Sequence, residues 1–383
     1  MALACQRSHF ELPDTAHYLN CAYMSPLATR VIEAGIRAIR LKAVPTSIGP
    51  TDFFEGADRA RASFARLIGA GAPERVAIIP ATSYAVATCA RNLDLRAGQN
   101  VVTIAEQFPG TVYTWRSMAQ KTGAEVRTVE APEGEERGRR WNERILEAID
   151  ADTAIVSIGS VHWTDGTAFD LEAIGERARE VGAAYLVDGT QSIGALPFDV
   201  QKIQPDAVIV AGYKWLMGPY SIGCAYYGPR FDGGEPLEET WIARRGSEDF
   251  AGLVDYQDEY QPGAIRYDVG ERSNFQLMPM LNEALEMVLE WTPEAIQEYV
   301  TALTAPLFAQ ALGMGYTIED EPYRSGHLFG LRVPDHISID AIKGRCAERG
   351  VSVSQRGTSI RVSPHVYNTP ADIDALLDAI TVG

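Results

Sequence analysis

Residues 184–227 read AYLVDGTQSIGALPFDVQKIQPDAVIVAGYKWLMGPYSIGCAYY. An apolar run, 184–187, stops at Asp188, and a second, 207–211, ends in Gly212-Tyr213-Lys214-Trp215. Short apolar runs bounded by turn residues are the mark of strands buried on both faces. Asp188 and Lys214 then stand at the carboxyl ends of two strands, the end at which α/β sheets bind ligands. Taken singly, an Asp after a strand also serves as a helix cap or turn former, and a Lys beside Trp also serves as a solvated side chain with a packed stem. Taken together, with the small-residue turn Gly218-Pro219-Tyr220-Ser221 behind them, they suit a pyridoxal phosphate site. There an amine forms a Schiff base with the cofactor, and a carboxylate keeps a proton on the pyridine nitrogen so that the ring draws electrons.

The same pattern continues on either side. Strands are expected at 76–79, 101–104, 125–129, 153–157 and 223–227, with helices over 27–40, 84–93, 141–149 and 170–181. This alternation predicts an α/β protein with a mostly parallel sheet and right-handed crossovers, the strand 223–227 running antiparallel because so few residues separate it from Lys214. A helix over 278–291 leads to strands at 327–333, 351–354 and 359–363 and helices over 339–349 and 370–380, a smaller α+β unit. Pro80-Ala81-Thr82-Ser83 opens the helix after the first of these strands. Thr82 or Ser83 is the expected cap, and free N–H groups at a helix start make a phosphate site, although an ordinary cap has the same sequence.

Composition narrows the function classes. A chain of 383 residues exceeds one ordinary core, so two domains are expected. A net charge of −17 without a Lys/Arg cluster argues against a nucleic-acid groove. Cys5, Cys21, Cys89, Cys224 and Cys346 are scattered and lack metal-ligand spacing, which fits free thiols in a reducing compartment. The first residues carry charge too early for a signal peptide, and no apolar run approaches membrane-spanning length, so a cytoplasmic location with no membrane partner is expected. No G-x-G-x-x-G or P-loop is present, which removes the usual nucleotide-binding readings.

Val187-Asp188-Gly189-Thr190-Gln191 with Asp199-Val200, and Gly212-Tyr213-Lys214-Trp215 with Gly218-Pro219, resemble the class V aminotransferase family, which includes cysteine desulfurases, kynureninases and isopenicillin-epimerase-like enzymes. The resemblance spans nearly the whole chain. It implies the pyridoxal phosphate fold type I, a mostly parallel seven-stranded sheet with a smaller α+β C-terminal domain. The implied division is an N-terminal arm, 1–26, packing with the small domain or pocket, a large cofactor domain, 27–276, and a small domain, 277–383. It implies a homodimer with shared active sites and an α-amino-acid substrate.

Residue by residue, the resemblance makes Lys214 the Schiff-base lysine and catalytic base, and Asp188 the partner of the pyridine nitrogen. Thr82 and Ser83 become phosphate ligands, although Pro80-Ala81 stands where relatives carry Arg-Gly. Phe108 becomes the ring stacked on the cofactor, where desulfurases place a histidine able to move protons. Gln191 is expected at the phenolic oxygen, with His162 near it. Tyr213 stands where many relatives carry histidine, its hydroxyl a donor to phosphate or phenolate. Ser273 or Asn274 would reach the partner subunit's phosphate, and Arg272 could pair with phosphate or with a carboxylate. Arg361 is expected to clamp the substrate carboxylate, with Arg356 in support and Asn20 in the segment that lines the substrate side. His162 reads equally as a satisfied structural histidine, and the 261–275 segment as solvated surface. No cysteine lies in 354–360, where desulfurases carry a mobile one, so persulfide transfer is not expected. Transamination is the provisional reaction, with β-elimination, C–S cleavage or epimerisation as alternatives. A non-catalytic ligand sensor or assembly partner on the same scaffold is the competing class.

Overall fold

In the computed structural model, which describes residues 2–381, the chain alternates strand and helix for most of its length. A short strand β1 (His17–Tyr18) precedes β2 (Val76–Ile79), β3 (Asn100–Ile104), β4 (Glu125–Val129), β5 (Thr153–Gly159), β6 (Ala184–Asp188), β7 (Ala207–Ala211) and β8 (Gly223–Tyr227). β2 through β8 form one seven-stranded sheet in the order β2-β8-β7-β6-β5-β3-β4. Every pairing is parallel except those of β8, which runs antiparallel to both β7 and β2. Only the loop 212–222 separates β7 from β8, too few residues for a crossover, so the chain must turn back.

The inner strands are largely apolar because helices cover both faces, whereas the edge strand β4 is exposed or half-buried except at Val129. Along β6, Ala184 and Leu186 pack on one side with Val101, Ile155 and Ile209, while Tyr185 and Val187 pack on the other with Val102, Val156 and Ile158. Crossovers end in compact turns. Gly123 and Gly182 adopt left-handed φ of 76° and 77° as the C-caps of helices Tyr113–Thr122 and Leu171–Val181. The second of these helices starts at Asp170, whose carboxylate accepts from Ala173 N at 3.0 Å.

The C-terminal part adds β9 (Phe329–Arg332), β10 (Val351–Ser352), β11 (Ser354–Arg356) and β12 (Ser359–Val362). β11, β12 and β9 form an antiparallel sheet, and helices Ile339–Glu348 and Pro370–Ile380 pack on it around Phe329, Leu331, Ile342 and Leu376. The N-terminal segment contacts this unit. β1 pairs in parallel with β10, Cys21 N donates to Ser363 O at 3.0 Å, and His17 Nδ1 lies 2.8 Å from Asp372 Oδ1.

Two local expectations change. Thr82 is the first residue of helix Thr82–Arg91 and Ala81 is its N-cap, extended at φ −160° and without a side-chain acceptor. The helix Pro293–Gly313 has no counterpart in the periodicity, because Pro306 sits inside it and reads as a breaker.

Candidate active site

β6 and β7 are parallel neighbours, with Asp188 in register with Ile209. Asp188 therefore ends one strand beside the turn that carries Lys214 out of the next. That turn is fixed from several sides. Tyr213 O accepts from Ser25 N and Gly212 N donates to Ile222 O. Gly194, at φ +108°, lies so close to the Trp215 carbonyl that a Cβ would collide with it. Asp188 Oδ1 accepts from Thr190 N at 2.9 Å, and Thr190 Oγ1 in turn accepts from Ala211 N at 3.2 Å. Burial pushes the Asp188 carboxyl up, while the Thr190 hydrogen bonds and the Lys214 charge act against that rise.

Both side chains face a cavity of about 260 Å³ at the carboxyl ends of the strands. Lys42, Lys121, Lys202 and Lys343 are exposed, and Lys214 alone is withdrawn from solvent. Among the described residues its Nζ makes no hydrogen bond and has no carboxylate within 4.0 Å, while the Phe108 and Tyr213 rings each lie 5.5 Å away. Burial lowers its pKa from 10.5 to about 8; the Asp188 carboxylate raises it, and the charges of Arg361 and Arg356 lower it. Gln191 also lines the cavity with its amide orientation fixed, since Trp215 Nε1 donates to Oε1 at 3.0 Å and Nε2 donates to Ala22 O at 3.2 Å. One Nε2–H remains for a ligand.

The far end of the cavity is formed by Pro80, Ala81, Thr82 and Ser83, the start of helix Thr82–Arg91. No side chain caps this helix, so its first N–H groups and the positive end of its dipole face the space. Phe108 forms a side wall with Trp163, the two rings meeting edge-on at 5.6 Å. Trp163 escaped the sequence reading, although it directly follows the histidine that drew attention. Its Nε1 donates to Glu106 O at 2.6 Å, a carbonyl presented by the left-handed turn at Glu106.

Thr82, Ser83, Phe108, Asp188, Gln191, Tyr213 and Lys214 thus share one cavity. His162 does not join them, although its chain neighbours do. Its ring packs edge-on against Trp141 at 4.9 Å, with Nε2 3.2 Å from Ala105 O and Nδ1 2.8 Å from Thr164 Oγ1. The expected position near a phenolic oxygen is corrected accordingly, because the turn 162–167 directs the imidazole into the core. Arg361 lies behind Trp163, donating to its carbonyl at 2.8 Å and contacting Asn20 Oδ1 at 3.4 Å. Arg356 sits over the Trp163 ring, 5.1 Å from its centroid.

Ser273 and Asn274 are also outside this cavity. Ser273 Oγ donates to Phe53 O at 2.8 Å and borders a separate groove between helices Thr29–Lys42, Glu55–Leu67 and Leu277–Trp291; Asn274 Oδ1 accepts from Leu277 N. Arg272 points inward and, with Arg61, holds the buried Asp268, whose Oδ1 also accepts from Ile78 N at 2.7 Å.

The family model of the class-V aminotransferases matches residues 47–376. Isopenicillin N epimerase of Streptomyces clavuligerus is 26% identical over 98% of this chain and 96% of its own length. Among solved structures, a cysteine desulfurase from Escherichia coli superposes with a TM-score of 0.79 at 21% identity, covering 98% of this chain and 96% of that one. A C-DES variant with glycine covalently linked to its pyridoxal phosphate cofactor gives 0.83 at 18% identity, covering 98% of each chain. The family match spans the strands and turns that assemble the cavity, and the chain belongs to the aminotransferase class-V family.

Proposed function

We propose that this protein is a pyridoxal phosphate enzyme acting on an α-amino acid, with Lys214 as its covalent anchor and proton carrier. The observation that carries the reading is the single withdrawn lysine, unpaired in a cavity that it shares with the half-buried Asp188 carboxylate. Structural charges are paired when buried, and these two are left free to meet a ligand.

The donor set fits the cofactor from end to end. The uncapped start of helix Thr82–Arg91, with the Thr82 and Ser83 hydroxyls, suits a phosphate. Asp188 suits a protonated ring nitrogen, Gln191 Nε2 a phenolic oxygen, and the Phe108 face a flat heteroaromatic ring. When bound, the cofactor supplies an electron sink for the bonds at the substrate's α-carbon. Lys214, whose pKa is lowered to about 8, takes and returns the α-proton in its uncharged form. Arg361 receives the α-carboxylate, with Asn20 and Ser354 steadying its guanidinium, and so sets which α-bond faces the ring.

Ser273 and Asn274 are assigned to the partner's site in a homodimer. Neither lines the chain's own cavity, and Ser273 borders a groove apart from it, which favours that assignment. The division into arm, 1–26, large domain, 27–276, and small domain, 277–383, is kept as part of this proposal.

Transamination is the provisional reaction. Epimerisation is the second reading, favoured by the likeness to isopenicillin N epimerase over nearly the full chain. Persulfide transfer is disfavoured. No cysteine lines the cavity, Cys21, Cys89, Cys224 and Cys346 are buried, and burial pushes the Cys21 thiol up to about 12.

The test is reconstitution with pyridoxal phosphate, borohydride reduction and peptide mapping. Reduced cofactor on Lys214 supports the reading, and reduced cofactor on another lysine, or none, defeats it. A panel of L-amino acids, with and without a keto-acid acceptor, then separates the reactions. Acceptor-dependent keto acid means transamination, ammonia with pyruvate means elimination, and loss of optical rotation alone means epimerisation.

A further inference from the structure

A guanidinium taken out of water is costly unless a carboxylate comes with it. Elsewhere this chain follows that rule. Arg61 and Arg272, 2% and 1% exposed, share Asp268, and Arg137 and Arg332 share Asp165 and Glu319. The hairpin β11–β12 departs from it. Arg361 is 1% exposed, yet no carboxylate of the described residues lies within 4.0 Å of it, and its Nε has no acceptor.

Arg356 beside it is half-buried and likewise lacks a counter-charge. Its Nη1 donates to Gln355 O at 2.7 Å, its buried Nε has no acceptor, and no carboxylate of the described residues is within 4.0 Å. Arg361 pairs with Ser354 across the hairpin and Arg356 with Ser359, so strand alternation puts both arginines on one face. Both are gathered at Trp163, one on its carbonyl and one over its ring, and Trp163 is a wall of the cavity. In a chain of net charge −17, two adjacent cations stand without a counter-charge. A substrate α-carboxylate balances one of them.

We propose that the substrate is an α-amino acid whose side chain bears a second carboxylate, Arg361 receiving one carboxylate and Arg356 the other. This rests on the amino-acid reading above and narrows it to a substrate class. A planar fork on each arginine matches a carboxylate in two-point contact, which a lysine could not supply. Stacking on Trp163 holds the Arg356 fork in place before the ligand arrives, so less side-chain freedom is lost on binding. Arg356 also depresses the Arg361 pKa, a repulsion that a dianionic ligand would relieve.

The test uses matched pairs that differ only in the second charge. Cofactor-loaded protein is titrated with L-glutamate against L-glutamine and L-aspartate against L-asparagine, followed by visible absorbance. Loaded and cofactor-free protein are titrated with glutarate against pentanoate and succinate against butyrate, followed by calorimetry. In at least one length class the acidic member should bind tenfold tighter or better. Arg356→Gln should erase that preference while leaving affinity for the neutral member within twofold, and Arg356→Lys should restore only part of it. An unchanged melting curve for Arg356→Gln shows that the loss is not one of folding. Equal affinities in every wild-type pair, or a preference that survives Arg356→Gln, would overturn the proposal and leave Arg356 as packing on Trp163. Protein that never turns yellow but still prefers the dicarboxylate would defeat the cofactor reading and uphold the two-arginine site.

Discussion

Lys214 must be uncharged to attack the cofactor's aldehyde, so its pKa sets how fast cofactor-free protein captures pyridoxal phosphate. Burial brings that pKa from 10.5 to about 8. At pH 7.5 about a quarter of such amines are neutral, against about 0.1% for an ordinary lysine, an advantage of roughly 250-fold. Capture followed by visible absorbance should rise between about pH 6.5 and 9 with a midpoint near 8, then level off. The neighbours give the sign of each variant's effect. The Asp188 carboxylate raises the lysine's pKa, so Asp188→Asn should move the midpoint down; Arg361 lowers it, so Arg361→Gln should move it up.

The same group affects stability. Between about pH 8 and 10.5 the unfolded lysine holds a proton that the folded one has lost, so the cofactor-free fold gains stability as pH rises through that window. Lys214→Met should therefore stabilise the cofactor-free protein below pH 8 by about 3 kcal/mol, with the difference gone above about pH 10.5. A wild-type capture midpoint near 10.5, an upward shift in Asp188→Asn or a downward shift in Arg361→Gln would refute the reasoning.

Other consequences are open to direct measurement. Asp188→Asn should retain the fold and most cofactor while slowing turnover about 100-fold or more, seen in single-turnover kinetics; near-normal turnover would make Asp188 a turn former only. Asp268→Asn strips the counter-charge from two buried guanidiniums and should cost about 3 kcal/mol or more in chemical denaturation, and an unchanged midpoint would show that they are paired otherwise. Gly166→Ala places a Cβ against the Leu328 carbonyl at φ +78°, so it should lower the melting temperature and weaken amino-acid binding through Trp163. Protein with all five cysteines replaced should keep its main activity and form no persulfide from L-cysteine; labelled persulfide on any cysteine of the wild type would reverse that expectation.

What could be read from the sequence depended on how local each signal was. Asp188 and Lys214 end apolar runs, and the chemistry of a strand end is visible in a few residues. Thr82 and Ser83 were placed at the right helix, but one of them was expected as its cap. They follow the N-cap rather than form it, which leaves their hydroxyls unused by the helix. His162 was harder, because its direction is set by the turn in which Gly166 N donates to His162 O and His162 N to Thr167 O. Trp163 was missed for a plainer reason. Its contacts with Arg361 and Arg356 join residues almost two hundred apart in the chain, and no local pattern encodes them. Helix Pro293–Gly313 was missed because one proline imitates a boundary that packing overrides.

The way charge is handled separates the residues that hold this protein together from those assigned to chemistry. Asp268 satisfies two arginines and a backbone amide at the edge of the sheet, and Asp165 and Glu319 do similar service where β9 meets the turn that carries Trp163. Those groups are buried and paired, so they stabilise one geometry and offer nothing to a ligand. Lys214, Asp188, Arg361 and Arg356 are withdrawn from water to differing degrees without a full set of partners, and each carries a pKa shifted against its charged form. Left alone they weaken the fold, as the Lys214 linkage makes explicit. A bound cofactor and a carboxylate ligand would supply the missing partners, so the destabilisation of the empty site becomes binding energy when it is filled. The Asp165–Glu319 cluster matters to function for the same reason. It fixes the turn that carries Trp163, and so keeps two repelling arginines within reach of one cavity wall until a ligand arrives.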